Sequence, residues 1–242
     1  MKKSVTPYNQ EDSKKKQVTE MFDGISTEYD ALNRKISLGI DVKWRRRVVD
    51  LLIPKKPESI LDIATGTGDL ALALTATNAS RIVGLDISAG MLSVGKDKVK
   101  AKNLDNTIEM VIGDSEALTY EENSFDAVTV AFGVRNFENL ELGLSELFRV
   151  LKPGGTLVVL ETAVPSRFPF KQGYKFHTQV IIPLMGKLFT RDQAAYKYLS
   201  DSAAVFPHGK QFNNILEKMG FIEVEDNPQT LGVASIYCAT KP

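Results

Sequence analysis

The sequence predicts an α/β protein built on a mostly parallel sheet with helices on both faces. Between residues 58 and 161, short apolar runs typical of buried strands alternate with stretches whose apolar residues recur at helical spacing. The first run leads into a glycine-rich turn and the second ends in an acid. Parallel sheets bind ligands at the carboxyl ends of their strands, so the residues at those ends indicate the function.

Five strands are expected in this region, and two more close the chain as an antiparallel pair. Their ranges are 60–64, 81–86, 108–112, 125–132 and 156–161, followed by 221–225 and 233–239. The intervening helices are predicted at 69–77, 89–101 and about 140–151, with one more around 212–219. Ser88 is placed to cap the second helix, and Pro153 with two glycines ends the third.

Three other regions flank or interrupt the alternation. Residues 1–16 are polar and are interpreted as a flexible arm. Residues 17–53 predict an N-terminal helical cap, broken near Asn33 and Gly39. Residues 163–208 mix aromatic and basic side chains and are too long for an ordinary loop, so they predict a helical lid. The whole of 17–242 then forms a single domain, with its ligand-binding core at 58–162 and its last helix and strands at 209–242.

Composition excludes several functions. The 242 residues carry 30 Lys+Arg and 30 Asp+Glu, and this balance argues against a protein that binds nucleic acid non-specifically. A single cysteine, Cys238, allows no internal disulfide and fits a reducing compartment. No apolar run approaches the roughly 20 residues of a membrane span, and no apolar stretch follows the charged N-terminus as in a signal peptide. A cytoplasmic location is therefore expected.

The turn after the first predicted strand has the pattern of a nucleotide-binding loop. Gly66 and Gly68 allow a tight turn and a close approach of a ligand to the backbone, and the following helix offers free N–H groups. The turn fits the pattern G-x-G-x-x-G/A, and Asp86 lies 20 residues beyond Gly66, where an acid binds ribose hydroxyls. These features fit NAD and S-adenosyl-L-methionine equally well.

Two further acids favour S-adenosylmethionine. Asp62 lies at the end of the first strand, where its charge would repel a pyrophosphate but suits an ammonium and a sulfonium. Asp114 follows the third strand and can accept a hydrogen bond from an adenine amino group, although a helix cap explains this residue alone equally well. Together with Asp86, these acids predict a site for a cation that carries a ribose and an adenine.

The fourth strand is followed by Arg135 and Asn136, where an acceptor substrate would meet the cofactor. Both side chains can donate to an oxyanion, although a surface arginine and a capping asparagine explain them equally well. The two histidines, His177 and His208, are interpreted as structural or surface residues.

The motifs together resemble class I S-adenosylmethionine-dependent methyltransferases over residues 58–161. They are DIATGTGD from Asp62, LDIS from Leu85, GDSEAL from Gly113 and RVLKPGG from Arg149. The resemblance implies a Rossmann-like fold with a seven-stranded sheet and S-adenosyl-L-methionine as the cofactor. It adds Thr67 and Ser115 to the residues that are expected to contact the cofactor.

A narrower resemblance covers about 18–239 and is to the quinone C-methyltransferase family of menaquinone and ubiquinone biosynthesis. The segments that carry it are Tyr29–Trp44, Ala131–Asn136, Arg149–Ala163 and Thr190–Pro207. Because these segments lie outside the cofactor motifs, they indicate the substrate. The chain departs from the family at Leu32, usually Met, at Asp41, usually His, and at Ala163, usually Ser; Ala131 is a Ser in some members.

The resemblance implies C-methylation of demethylmenaquinol, a prenylated naphthoquinol, with Arg135 and Asn136 polarising a ring hydroxyl. Water or Asp30 would accept its proton, and Tyr29 would close over the cofactor. Because the prenyl tail is insoluble, the lid at 163–208 is expected to make peripheral contact with the inner face of the cell membrane. A lid core explains its aromatic residues equally well, and a homodimer is left open.

Other functions stay open at the level of sequence. A benzoquinol of the ubiquinone pathway or a soluble small molecule would use the same cofactor site. An NAD-dependent oxidoreductase fits the glycine loop but explains neither Asp62 nor the RVLKPGG motif. A non-enzymatic protein of this fold is disfavoured, because only a ligand needs the loop, Asp86 and Asp114 together.

Overall fold

The computed structural model describes residues 5–8, 11–165, 168–176, 180 and 192–242. Within these residues one seven-stranded sheet forms the centre of the molecule. Its strands are β1 (Ser59–Ile63), β2 (Arg81–Asp86), β3 (Ile108–Ile112), β4 (Phe125–Ala131), β5 (Leu151–Thr162), β6 (Ile222–Gln229) and β7 (Ala234–Thr240). The helices are α1 (Lys14–Ile25), α2 (Tyr29–Ile36), α3 (Ile40–Leu52), α4 (Asp69–Leu74), α5 (Ala89–Ala101), α6 (Leu140–Val150), α7 (Phe170–Phe176), α8 (Gln193–Val205) and α9 (Lys210–Lys218).

The strand order β3-β2-β1-β4-β5-β7-β6 positions the site. The first five strands pair in parallel and β6 pairs antiparallel with β7, both as predicted; β7 also pairs antiparallel with β5. The order reverses between β1 and β4, and in such sheets ligands bind in the crevice beyond the carboxyl ends at this point. The ends of β1, β2, β3 and β4 therefore face one common space.

Apolar residues on both faces of the sheet explain why these segments fold as buried strands. One core lies between the sheet and helices α6 and α9, and the other lies between the sheet and helices α3, α4 and α5. The central strand β1 is buried along its last four residues, so it reads as a continuous apolar run interrupted only by Asp62. A carboxylate at this place needs a functional or hydrogen-bonding reason.

The N-terminal helices and the lid helix α8 share a third core. Val18 and Met21 of α1, Leu32 of α2 and Tyr196 and Tyr198 of α8 are all buried together. The cap and the lid are therefore packed on each other above the carboxyl edge of the sheet. This contact joins segments that lie about 170 residues apart, and no local pattern in the sequence indicates it.

Two details of the cap differ from the sequence prediction. Helix α1 already begins at Lys14, inside the segment interpreted as an arm, because Ser13 accepts a hydrogen bond from the Lys16 amide and caps it. Asn33 lies within α2 and breaks nothing. The break lies at Gly39, whose φ of +74° is one that a glycine adopts without strain.

The lid region is described in two parts, α7 and α8. Residues 177–179 and 181–191 of the predicted lid, His177 among them, lie outside the described residues. Across the described part of the chain, no helix has the length and apolar character that crossing a bilayer requires.

Candidate active site

The turn that follows β1 is held in place by the acid that ends β2. The amide of Gly66 donates to Asp86 Oδ2 at 2.8 Å, and the amide of Ser88 donates to Asp86 Oδ1 at 2.9 Å. Gly66 and Gly68 have φ values of +58° and +79°, so the loop takes a path that other residues rarely adopt. These hydrogen bonds to Asp86 hold the loop in place, a role that the sequence pattern did not predict.

A cavity, the first cavity, opens beside this loop. Gly66, Asp86, Asp114 and Ser115 line it, each of them predicted from the sequence, and Tyr29 closes one side. Burial raises the pKa of Asp86, whereas the amides that it accepts from lower it. An acid in such surroundings is well placed to accept hydrogen bonds from ribose hydroxyls.

Helix α1 contributes a cation at the edge of the first cavity. Lys15 Nζ lies 2.7 Å from Asp114 Oδ2 and 3.3 Å from Glu116 Oε2. Lys14 Nζ donates to the carbonyl oxygens of Arg135 and Phe137 at 2.9 and 2.8 Å. Two consecutive lysines thus tie α1 to the ends of β3 and β4, and sequence reasoning did not single out either of them.

Three of the expected contact residues lie behind the wall of the first cavity. Asp62 is fully buried, and its two oxygens accept from the hydroxyls of Thr65 and Thr129 at 2.6 and 2.7 Å. Burial raises the pKa of Asp62 to about 6, although both hydroxyls oppose this. The Thr67 hydroxyl donates to Asp30 Oδ1 at 2.6 Å, and Lys98 pairs with Asp30 Oδ2 at 2.5 Å. Asp62, Thr67 and Asp30 therefore support the loop and line neither cavity described here.

A second cavity lies on the other side of Tyr29 and Phe132, which line both cavities. Its wall is mostly apolar, with Ile36, Trp44, Tyr174, Tyr196, Leu199, Ala203 and Val233, and it includes the charged residues Asp41, Arg45 and Arg135. Phe132 has a φ of +59°, a strained conformation for a bulky residue. Such strain is characteristic of functional sites, and sequence reasoning had not identified Phe132 as a site residue.

Arg135 lines the second cavity, and it is buried rather than on the surface. Its Nη1 donates to Glu161 Oε1 at 2.5 Å and to the Phe132 carbonyl at 2.8 Å. Although burial acts against it, the charge of Glu161 and the neighbouring Tyr29 keep the pKa of Arg135 above its ordinary value. Glu161 lies near the end of β5, so the strand-end argument used for the other acids would have found it.

Two roles were predicted for Asn136, a donor to an oxyanion and a helix cap. It lines the first cavity rather than the second, and its Oδ1 accepts from the Tyr198 hydroxyl of α8 at 3.1 Å. It does not cap α6, because the capping side chain is that of Asn139. Asn136 therefore links the lid to the end of β4.

Fold and site together define a class I S-adenosylmethionine-dependent methyltransferase. A Thermotoga maritima protein described as a possible histamine N-methyltransferase aligns with a TM-score of 0.65 at 18% identity, over 93% of this chain and 99% of its own. Phosphoethanolamine N-methyltransferase 2 of Haemonchus contortus, solved with S-adenosyl-L-methionine, aligns with a TM-score of 0.55 at 18% identity, over 76% of this chain and 49% of its own. These similarities confirm the predicted fold class.

The chain belongs to the ubiE/COQ5 methyltransferase family, whose sequence model matches residues 10–241. Demethylmenaquinone methyltransferase of Bacteroides fragilis is 45% identical over 238 residues, 98% of this chain and 97% of the relative. The protein of the same name from Porphyromonas gingivalis is 41% identical over 98% of both chains. A ubiquinone/menaquinone biosynthesis C-methyltransferase of Geobacter sulfurreducens is 40% identical over 94% of this chain and 90% of its own. The family resemblance, the methyltransferase class and the cofactor are thereby confirmed, and the NAD-binding alternative is wrong.

Proposed function

We propose that the protein transfers the S-methyl group of S-adenosylmethionine to a ring carbon of demethylmenaquinol and so forms menaquinol. The observation that carries the proposal is the pair of cavities that meet at Tyr29 and Phe132. One offers carboxylates to a cationic nucleoside, and the other offers an apolar, aromatic space with a buried arginine. The names of the relatives from Bacteroides fragilis and Porphyromonas gingivalis support the same substrate.

The residues of the first cavity fit the cofactor. Asp86 would accept from the ribose hydroxyls and Asp114 from the adenine amino group, and Ser115 lies beside Asp114 on the cavity wall. Gly66 lets the methionine part approach the backbone. When bound, S-adenosylmethionine supplies an electrophilic methyl group on a sulfonium. The buried charge of Asp62 beneath the loop favours that cation.

The chemistry requires the reduced ring. An oxidised quinone is electrophilic at the ring carbon that lacks the methyl group, whereas the quinol becomes nucleophilic there when its hydroxyl loses a proton. A carbon–carbon bond would then form as the sulfur–methyl bond breaks. The ring carbon would lose its own proton to water, which restores the aromatic ring as a phenolate, and uptake of a proton by that phenolate gives menaquinol. The protein must hold the two reactants in line and stabilise the phenolate.

Arg135 is the residue assigned to the phenolate. Its guanidinium lies in the wall of the second cavity, in a buried environment where a charge interacts strongly with an anion. An arginine does not accept a proton, because its pKa exceeds about 12. Asp30 is engaged with Thr67 and Lys98 away from the second cavity. We therefore assign the proton of the ring hydroxyl to water.

Peripheral contact with the inner face of the cell membrane belongs to the same proposal. Phe168 and Phe170 at the start of α7 and Leu231 are exposed apolar residues, with 79%, 41% and 64% of their surface accessible. Tyr174 of the same helix lines the second cavity. A prenyl tail could therefore pass from the cavity along α7 to a bilayer into which these side chains insert.

The experiment that tests the function follows the methyl group of labelled S-adenosylmethionine in detergent. The acceptors are demethylmenaquinone, a demethylated polyprenyl benzoquinone and a soluble naphthol, each with and without dithionite. We expect label in menaquinone only under reduction. Label in the benzoquinol as well would add the second pathway named for the Geobacter relative. Transfer to neither quinol, with the cofactor still bound, would contradict the proposal.

A further inference from the structure

We propose that Glu161 is a positioning residue: it fixes the Arg135 guanidinium so that its remaining donors face the oxygen of the substrate ring. The inference rests on the proposed function and extends it to a carboxylate that touches neither substrate nor cofactor. Its basis is the buried pair that these two side chains form beside the second cavity.

One oxygen of Glu161 is held by three donors. Oε1 accepts from Arg135 Nη1 at 2.5 Å, from the Thr162 amide at 2.7 Å and from the Thr162 hydroxyl at 3.1 Å. Glu161 has no accessible surface, and Thr162 lies in the wall of the second cavity. The carboxylate is therefore fixed on the rigid strand β5, and the guanidinium that it binds is fixed with it.

The contact with Glu161 also decides which N–H donors of Arg135 remain available to a substrate. Nη1 is used twice, by Glu161 and by the carbonyl of the strained residue Phe132. Nε is buried and has no hydrogen-bond partner among the described residues. Its surface is covered, so an oxygen that accepts from Nε reaches it only after a small shift of the guanidinium, and this contact then relieves the penalty of a buried donor without a partner. The ring oxygen of the quinol is such an acceptor.

Charge gives a second reason for the pair. A lone arginine in this apolar surrounding would be strongly destabilising, and Glu161 compensates its charge. Burial raises the pKa of the nearby phenols of Tyr29, Tyr174 and Tyr198, the last to about 12. These phenols therefore stay neutral, and no anion among them competes with the substrate for Arg135.

Two variants of Glu161 test the length and the charge of its side chain separately. Glu161→Asp keeps the charge but is too short to reach Arg135, and we expect kcat to fall about 100-fold through misplacement of the guanidinium. Glu161→Gln keeps an acceptor oxygen at the right distance, so it should lose only about 10-fold. Cofactor affinity should stay at the wild-type value in both. Glu146→Gln is the control, because Glu146 forms a partly exposed pair with Arg149 away from both cavities, and its kcat should not change.

A spectroscopic measurement keeps the inference independent of turnover. 4-Nitro-1-naphthol, whose phenolate is coloured, should show a lowered apparent pKa when bound to the wild type, and this shift should be smaller in Glu161→Asp. If wild-type protein methylates no quinol but shows the Glu161-dependent shift, the proposed function fails and the positioning role stands. If both Glu161 variants keep wild-type rates and shifts, or lose cofactor affinity in proportion to kcat, the positioning role is wrong.

Discussion

The two cavities of this protein are built in different ways from the same chain. Gly66, Asp86 and Asp114 of the first cavity lie at or just after the ends of β1, β2 and β3, and residues of α1 and α2 complete its wall. The wall of the second cavity comes from α2, α3, α7, α8 and the end of β4. A site made of strand ends is encoded locally, whereas a site made of packed helices depends on the whole fold.

Their charges differ as well. Acids dominate the polar groups of the first cavity, which suits a cationic ligand. In the second cavity each arginine has its own carboxylate: Arg45 pairs with Asp41 at 2.5 Å, and Arg135 pairs with Glu161. A cavity with paired charges and apolar walls can accept a neutral ring and stabilise a charge that develops on it. The charges of the first cavity therefore suit binding of the cofactor, and those of the second suit reaction of the substrate.

Of the variants that test the division of roles between the two cavities, Arg135→Ala is expected to have the largest effect. Because Arg135 lines only the second cavity, kcat should fall about 10³-fold while the Kd for S-adenosylmethionine stays unchanged. Turnover assays and calorimetric titration of the cofactor check both values.

Because Arg135→Ala leaves Glu161 buried and unpaired, Arg135→Lys is the companion variant. It retains a cation but not the planar fork, so it should fold and still be slow. Equal losses of kcat and cofactor affinity in both variants would contradict the division between the cavities.

The converse change is Asp86→Ala. Two charge-assisted hydrogen bonds to the ribose are lost, so cofactor affinity should fall about 300-fold. Binding of menaquinone, measured by quenching of the fluorescence of Trp44 in the second cavity, should be unaffected.

Asp126→Ala is the matched control for Asp86. Asp126 also accepts from backbone amides, those of Glu58 and Ser59, but it does so at the start of β1. Its loss should reduce stability without changing cofactor affinity. If both variants weaken the cofactor alike, Asp86 acts through the fold rather than through the site.

A smaller effect concerns the acid beneath the loop. Because burial raises the pKa of Asp62 to about 6, the folded state favours the protonated acid. This stabilisation is fully present below about pH 4 and is lost as the pH rises through about 6. Asp62→Asn removes the titration, so its free energy of unfolding relative to wild type should rise by about 2 kcal/mol between pH 4 and pH 7.

Urea unfolding at pH 4 and pH 7 measures this difference. Asp126→Asn is a control in which the pH dependence of stability relative to wild type should have the opposite sign. Although burial acts the other way, Lys152 and Ser59 hold the pKa of Asp126 below its ordinary value. The stabilisation that Asp126 provides is therefore present at neutral pH and lost in acid. The loss of unfolding free energy caused by Asp126→Asn should accordingly be largest at pH 7. A difference between Asp62→Asn and wild type that does not vary with pH would show that Asp62 does not titrate in this range.

Sequence reasoning found much of the first cavity and little of the second. Gly66, Asp86 and Asp114 were found because each lies at or shortly after the end of a strand whose alternation with helices is visible in the chain. Arg135 was found in the same way. Asp30 and Thr67 were assigned to the reaction and the cofactor, yet they bond to each other beneath the loop. The direction of a side chain from a loop or a helix depends on its neighbours, and a one-dimensional pattern does not contain them.

The sequence by itself determined the α/β class, the strand ends and the acids that they carry, because strand and helix periods and turn residues act over a few positions. Tertiary structure alone decided that α8 packs on α1 and α2, that Glu161 pairs with Arg135, and that Tyr29 and Phe132 separate the two cavities. These contacts join residues from distant parts of the chain, and only packing of the complete core gives them a fixed geometry.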